Sequence, residues 1–380
     1  MIQGKTNADR GVERVTRIAD RNTGLFLSRR EWITIALTCL ITILAGILTG
    51  LQVNAVFIFV VSAAALALLA GMVGQATEQV GSRLGAGATG VLQSALGNLP
   101  ELFVGIFALR AGLIAVVQAA LVGSILGNSL FVLGLAFFVG GLRNGTQRFG
   151  SDAPRMIAVL TLLAVAALAV PTLVQGLHTP AAGHEEGLSV ACAVILLVVF
   201  IASIPISLQG EAPGVSGELK EPAAPAHIWP VWLAIAVLVG AGVGSAFVSD
   251  WFVAALTPAI TILHISPAFT GLVIVALAGN AVENVVGVQF AARNQADYAI
   301  SVILNSSLQV ALGLIPVLVL LSFVIGGAPL TLALPPLLVA ALGLTAILST
   351  VIIYDGESTW IEGLALIGLY GIIAVSFWWG

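Results

Sequence analysis

Apolar stretches long enough to cross a bilayer follow one another along nearly the whole chain, at about 32–50, 54–80, 86–109, 113–140, 154–175, 187–208, 229–249, 267–292, 297–323, 330–353 and 360–378. A hydrocarbon core about 30 Å thick takes about 20 apolar residues in a helix. Inside lipid each backbone polar group must be satisfied within its own segment, so every stretch is read as a helix. Eleven spans result, with 250–266 left as loop or as an interfacial helix. Of the 380 residues 59% are hydrophobic and only 8% charged, whereas a water-soluble domain is roughly a quarter charged. The expected fold class is therefore an all-α integral membrane protein with about eleven transmembrane helices. A net charge of -4 leaves no basic footprint for a nucleic-acid partner.

Positive charge sets the expected orientation. Seven of the 14 basic residues (Lys5, Arg10, Arg14, Arg17, Arg21, Arg29 and Arg30) precede the first span, which places the N-terminus in the cytoplasm. Eleven crossings then put the C-terminus on the opposite side. Arg83, Arg143, Arg148, Lys220 and Arg293 fall in loops on the cytoplasmic side, while the opposite-side loop 176–186 has no Lys or Arg. Arg110 is the exception. The polar, basic start followed by an apolar run of spanning length is read as a cytoplasmic tail over 1–30, with no cleavable signal. Cys39 and Cys192 stand apart in apolar runs and are read as packing residues.

An internal repeat divides the chain. Gly97-Asn98-Leu99-Pro100-Glu101 aligns with Gly279-Asn280-Ala281-Val282-Glu283 at an offset of 182, and the same offset pairs Gly105 with Gly287 and Ser124 with Ser306. Thr77-Glu78 resembles Ser249-Asp250 at an offset of 172. The expected organisation is a first transmembrane helix over 31–50 outside the repeat and a five-helix repeat over 51–208. A cytoplasmic linker over 209–228 and a second five-helix repeat over 229–380 follow. An odd number of spans per copy forces the copies to insert in opposite directions, the inverted-repeat plan of many secondary transporters. The sparse acids of the linker, Glu211, Glu218 and Glu221, are read as solvated charge.

Glu101 and Glu283 are the acids well inside the expected spans. A charged carboxyl at that depth costs at least ~2.5–3.5 kcal/mol on insertion scales, so it calls for a pairing or functional explanation. No Lys or Arg lies at membrane depth to pair with either. Asn98 and Glu101, like Asn280 and Glu283, are three residues apart on one helix face. Pro100 removes an N–H and frees carbonyls in the turn before it. Ser124 and Ser306 add hydroxyls from the following helices, and Gln309 and Asn128 are further polar residues there. Carboxylate, amide, hydroxyl and carbonyl oxygens suit a hard cation such as Ca²⁺, which takes six to eight oxygens at about 2.3–2.6 Å. Burial favours the protonated carboxyl and a bound divalent cation the ionised one, so one site can hold either the cation or protons. Glu78 and Asp250 stand at or near span ends, as accessory pathway carboxylates or as interfacial charge. The glycines at 81, 85, 87 and 90 lack the Lys-Ser/Thr of a phosphate cradle and are read as helix packing. No Ser–His pair or His-rich motif lies in the spans, so an enzyme is not expected, and no cofactor is implied.

The paired segments Gly97–Leu102 and Gly279–Glu283 resemble the doubled signature of the calcium/cation antiporter superfamily, and within it the cation/proton (Ca²⁺/H⁺) exchangers. Ala76-Thr77-Glu78, Ala108–Gly112, Gly123–Asn128 and Asp355–Gly363 add to the likeness, which covers roughly residues 50–380. It implies Ca²⁺ and H⁺ as substrates exchanged at Glu101 and Glu283, with Asn98, Asn280, Ser124, Ser306 and Gln309 assisting. This chain departs from the family pattern at Asn284, where a histidine is common, and at Gln79, where a second acid often follows. Asn305-Ser306-Ser307 replaces a glycine-led turn.

The leading expectation is thus Ca²⁺/H⁺ antiport by alternating access. The same fold exchanging Na⁺, K⁺ or Mn²⁺ for H⁺, or Na⁺ for Ca²⁺, is the alternative; a cation channel is the reading from another class. Membrane lipid is the expected environment and a prokaryotic plasma membrane the expected location. Whether the chain forms a homo-oligomer stays open at this point.

Overall fold

A computed structural model describes residues 27–81, 83, 92–93, 95–150, 152–208 and 228–379. The expected tail up to residue 26, the start of the third span and nearly all of the 209–228 linker lie outside the described residues. We number the helices α1 Arg29–Gly50, α2 Ala55–Gly81, α3 Leu99–Arg110, α4 Ile114–Asn144, α5 Asp152–Gly176 and α6 Glu185–Leu208. They continue as α7 Val231–Leu263, α8 Pro267–Gly279, α9 Ala281–Ala292, α10 Ala296–Ile325, α11 Pro336–Ile353 and α12 Trp360–Ser376. Among the described residues eight of these are long and apolar enough to cross a membrane, and α8 with α9 makes a ninth candidate bent by 65°. The two remaining expected spans correspond to α3 and α12, which are shorter.

Two features depart from the sequence expectation. Residues 250–263 are neither loop nor a separate interfacial helix: α7 runs unbroken for 33 residues. At 1.5 Å per residue that is about 50 Å, more than the hydrocarbon thickness, so α7 leans or projects. Asp250 therefore sits within a helix rather than at its end. The fold is also not purely helical, because β1 Gln147–Arg148 pairs antiparallel with β2 Glu357–Ser358.

Packing follows from the apolar sequence with small residues at the crossings. The longest interface runs along α2 and α7, where Phe59 stacks on Phe252 with ring centroids 4.9 Å apart. The closest crossing is between α4 and α8. A Cβ on Gly123 would overlap the Leu272 carbonyl oxygen, so only glycine allows that approach. By contrast α1 buries just Thr38 and Ala45 and presents most of its surface outward.

Connecting segments meet in two sets. Gln147 Nε2 donates to Ala291 O (3.0 Å) and Asn294 Oδ1 (2.9 Å), and Gly150 N donates to Asp297 Oδ1 (2.7 Å). These join the 145–150, 291–297 and 354–358 segments, which share one expected side. Leu334 N donates to Thr172 Oγ1 (2.8 Å), Leu332 N to Ser189 Oγ (2.9 Å) and Gln118 Nε2 to Thr331 O (3.0 Å), joining segments expected on the other side.

Trp229, 1% exposed, ties three helices together at the start of α7. Its backbone N–H donates to Gln79 Oε1 (2.9 Å), its Nε1 to Glu31 Oε1 (2.8 Å), and its carbonyl accepts from Arg83 (2.6 Å). Gln79, one of the departures from the family pattern, is thus a buried structural acceptor. Truncating a buried Trp to Ala costs about 3–5 kcal/mol. Trp229→Ala is expected to lower the melting temperature in detergent by several degrees. Trp229→Phe should lower it less, since it keeps the ring and loses only the bond to Glu31; equal melting of all three proteins would refute this role.

Candidate functional site

Both signature segments break their helices at the asparagine. Asn98 has φ −89° and ψ 13°, and Asn280 has φ −94° and ψ 19°, so the two copies turn alike although only the first carries a proline. Each break starts a new helix, α3 or α9, with Glu101 or Glu283 in its first turn. Three six- or five-residue π turns lie nearby, Gly127–Val132 in α4, Thr270–Val275 in α8 and Val310–Leu314 in α10. Such turns loosen the helical ladder and often mark functional positions.

The breaks bring five of the expected residues into one buried network. Ser124 Oγ donates to Glu101 Oε1 (2.7 Å). Asn280 Nδ2 lies within hydrogen-bond reach of Glu101 Oε1 (2.5 Å), Ser124 Oγ (3.1 Å) and Ala276 O (3.0 Å). On its other side, Asn280 Oδ1 accepts from Ser306 Oγ (3.3 Å) and Asn128 Nδ2 (3.3 Å), and Asn128 also donates to Ser306 Oγ (2.9 Å). Glu101 is 8% exposed, Asn280 3% and Asn128 1%. Asn128, expected only as a further polar residue of its helix, is therefore part of this network.

The remaining expected residues are less buried than these five. Glu283, Asn98 and Gln309 are half-buried, Gln309 at the last position before the α10 π turn. Glu78 is exposed in the last turn of α2, and Asp250 is exposed on α7. Residue exposure is consequently asymmetric: Glu101 is 8% exposed, whereas Glu283 is half-buried.

Glu101 Oε2 is buried with no hydrogen-bond partner, and no described residue forms an ion pair with Glu101. Glu101 and Ser124 line a cavity of about 30 Å³ whose other walls are apolar, among them Val104, Val117, Leu121, Phe252 and Leu318. That leaves room for a water or two. A buried carboxylate with an idle oxygen must carry a proton or meet a cation, because an isolated ionised carboxylate is too costly in an apolar interior.

Four residues that the sequence analysis did not put among the site residues border the network or its glutamates. Gly279 packs on Glu101, since a Cβ there would overlap Glu101 Cγ and stand 2.7 Å from Oε1. Ser129 and Ser307, both buried, hydrogen-bond across the α4 and α10 π turns at 3.0 Å. Asn284 Oδ1, beside Glu283, is buried without a partner. The serine beside each aligned or polar position, Ser129 after Asn128 and Ser307 after Ser306, was a usable signal. Repeat equivalence, however, tells which residues correspond and not which touch.

The sequence model of the family described as "Sodium/calcium exchanger protein" matches residues 54–209 and 233–379. The chain is 35% identical over 339 residues to the Ca(2+)/H(+) antiporter of Synechocystis sp., covering 84% of this chain and 90% of that protein. It is 32% identical over 327 residues to the Ca(2+)/H(+) antiporter ChaA of Bacillus subtilis (84% and 91%). It is 31% identical over 343 residues to the vacuolar calcium ion transporter of Schizosaccharomyces pombe (88% and 82%). Among solved structures, native YfkE superposes with a TM-score of 0.77 at 28% identity, covering 91% of this chain and 99% of that one. The H+/Ca2+ exchanger CAX shares the fold with a TM-score of 0.72 at 18% identity over 92% of each chain. The chain belongs to the sodium/calcium exchanger protein family, within the calcium/cation antiporter superfamily that its doubled signature resembles.

Proposed function

We propose that the chain exchanges Ca²⁺ for protons across a membrane by alternating access, with Glu101 and Glu283 holding the cation or protons in turn. The observation that carries this reading is the buried Glu101 carboxylate, with one oxygen held by Ser124 and Asn280 and the other left without a partner. Ser124 Oγ contacts it directly, and Asn280, Ser306 and Asn128 continue the network from there; turned toward a cation, their side-chain oxygens are the hard donors that Ca²⁺ takes. Asn98 and Gln309 would join when the cation is fully enclosed. The names of the relatives, Ca²⁺/H⁺ antiporters among them, favour the same pair of ions.

The fold is read as eleven crossings, α1 followed by two inverted five-helix copies over 51–208 and 229–380. The matching breaks at Asn98 and Asn280 support that division, as do the π turns of α4 and α10. The basic residues at and before the start of α1 favour a cytoplasmic N-terminus, and eleven crossings would then put the C-terminus on the opposite side. Exchange arises because the closed site cannot hold Ca²⁺ and protons together, so each crossing of the cation requires a return with protons. One unit of pH gradient is worth about 1.4 kcal/mol per proton returned.

Proteoliposomes test this. An imposed pH gradient is expected to drive Ca²⁺ uptake, and a proton ionophore is expected to collapse it. Uptake unaffected by the ionophore would mean a channel. Gradient-driven movement of Na⁺, K⁺ or Mn²⁺ in place of Ca²⁺ would keep the mechanism and change the substrate.

A further inference from the structure

A lateral groove of about 750 Å³ opens between α3 and α7, away from the Glu101 network. Its size is that of pockets that bury a drug-sized ligand. Phe103 and Phe107 on α3 and Val243 and Phe247 on α7 line its length, and two charged residues share its wall, Arg110 and Asp250. Both are exposed, and among the described residues neither forms an ion pair.

Their depth can be counted along the helices. Arg110 lies nine residues beyond Glu101 on α3, about 14 Å, or close to half the thickness of a hydrocarbon core. Asp250 lies eighteen residues beyond Trp232, an exposed aromatic at the other end of α7, at most about 27 Å away. With Glu101 taken at the midplane and Trp232 at the far boundary, both counts bring the charges to one expected membrane boundary, with the aromatic walls between them and the midplane. Arg110 is also the basic residue that the positive-inside pattern does not account for. Its place in the last turn of α3 suits the helix dipole. That accounts for a cation at the helix end but not for an acid facing the same groove.

We propose that this groove is a binding site for a phospholipid with a phosphate and a primary ammonium in its headgroup, a phosphatidylethanolamine. The Arg110 guanidinium takes the phosphate through its planar fork, and the Asp250 carboxylate takes the ammonium, which offers three N–H donors. One acyl chain lies along Phe103, Phe107 and Phe247. A choline headgroup has no N–H to give Asp250, and a glycerol headgroup offers it neutral hydroxyls without the positive charge that balances the carboxylate. The groove runs along the seam where α3, which carries Glu101, packs on α7, so its occupant would bear on the contact between the helix with the ion site and the long α2–α7 pair.

The test is native mass spectrometry of the delipidated full chain in detergent, titrated separately with phosphatidylethanolamine, phosphatidylcholine and phosphatidylglycerol of the same acyl chains. The expected result is one tightly retained phosphatidylethanolamine per chain, at least tenfold preferred over the other two. Arg110→Gln should weaken that binding tenfold or more, and Asp250→Asn should erase the preference over phosphatidylglycerol. Gly242→Leu supplies a second variant: nothing lies within 4 Å of a Cβ added at this groove residue, so the leucine fits without disturbing the fold. It should fill the groove and displace the lipid with both charges in place. Retention in Arg110→Gln and Gly242→Leu equal to that of the unaltered chain, or no preference among the three lipids, would overturn the proposal. The readout is binding and not transport, so it stands or falls separately from the identity of the exchanged ions.

Discussion

Glu101→Gln is expected to reduce pH-gradient-driven Ca²⁺ uptake at least 100-fold while leaving the protein folded in the membrane. The amide can turn its oxygen toward Ser124 and Asn280 and keep both bonds that Glu101 Oε1 accepts. Its NH₂ then occupies the place of Oε2, an atom with no protein partner. There it offers donors where a cation needs an acceptor, and it has no ionised form to trade a proton for Ca²⁺. A 100-fold loss corresponds to about 2.7 kcal/mol, within the range for losing one interaction with a charged group. Stability is expected to hold, because the substitution removes a charge whose burial is costly in the first place. Glu283→Gln should lose exchange as fully, again with the protein folded. Uptake within tenfold of the unaltered protein in either variant would sink the two-carboxylate mechanism.

Gly279→Val is the second large effect. A Cβ at this position would overlap Glu101 Cγ and stand 2.7 Å from Oε1 and 2.9 Å from Cδ. Those atoms are the free end of a side chain, so the clash is relieved by swinging the carboxylate away rather than by unfolding. The network around Asn280 is then broken with the fold intact. Gly279→Ala is expected to lower exchange about tenfold, in line with a loss near 1.4 kcal/mol, and Gly279→Val to abolish it. Gly368→Ala is the control: nothing lies within 4 Å of its added Cβ, and it should transport normally. Normal exchange by Gly279→Val would mean that Glu101 does not act from its observed position.

The buried polar network was more legible in the sequence than its surroundings. Glu101, Ser124, Asn280 and Ser306 could be named because buried polar atoms in a chain this apolar are rare, and their doubling in register excluded coincidence. The break at Asn280 was less legible, because Gly279-Asn280 lacks the proline that forces the turn at Pro100. The full length of α7 was hidden by Asp250, whose charge ends a hydropathy window but not a helix. The π turns leave no residue signature that a reading of hydrophobicity or caps would catch. The two-residue strands of β1 and β2 are tertiary in origin, made by bringing Gln147–Arg148 against Glu357–Ser358, where Arg148 also pairs with Glu357 at 3.0 Å. Least legible was the difference in exposure between Glu101 and Glu283. A repeat in sequence is symmetric, and the difference belongs to the conformation of the bundle.

The central claim, that one buried site holds either Ca²⁺ or protons, is tested most directly by proton release on Ca²⁺ binding to the purified protein in weakly buffered detergent solution. The account predicts that adding Ca²⁺ acidifies the solution in proportion to the cation bound, and that Glu101→Gln sharply lowers both the binding and the release. Ca²⁺ that binds without releasing protons, or release that is undiminished in Glu101→Gln, would contradict it.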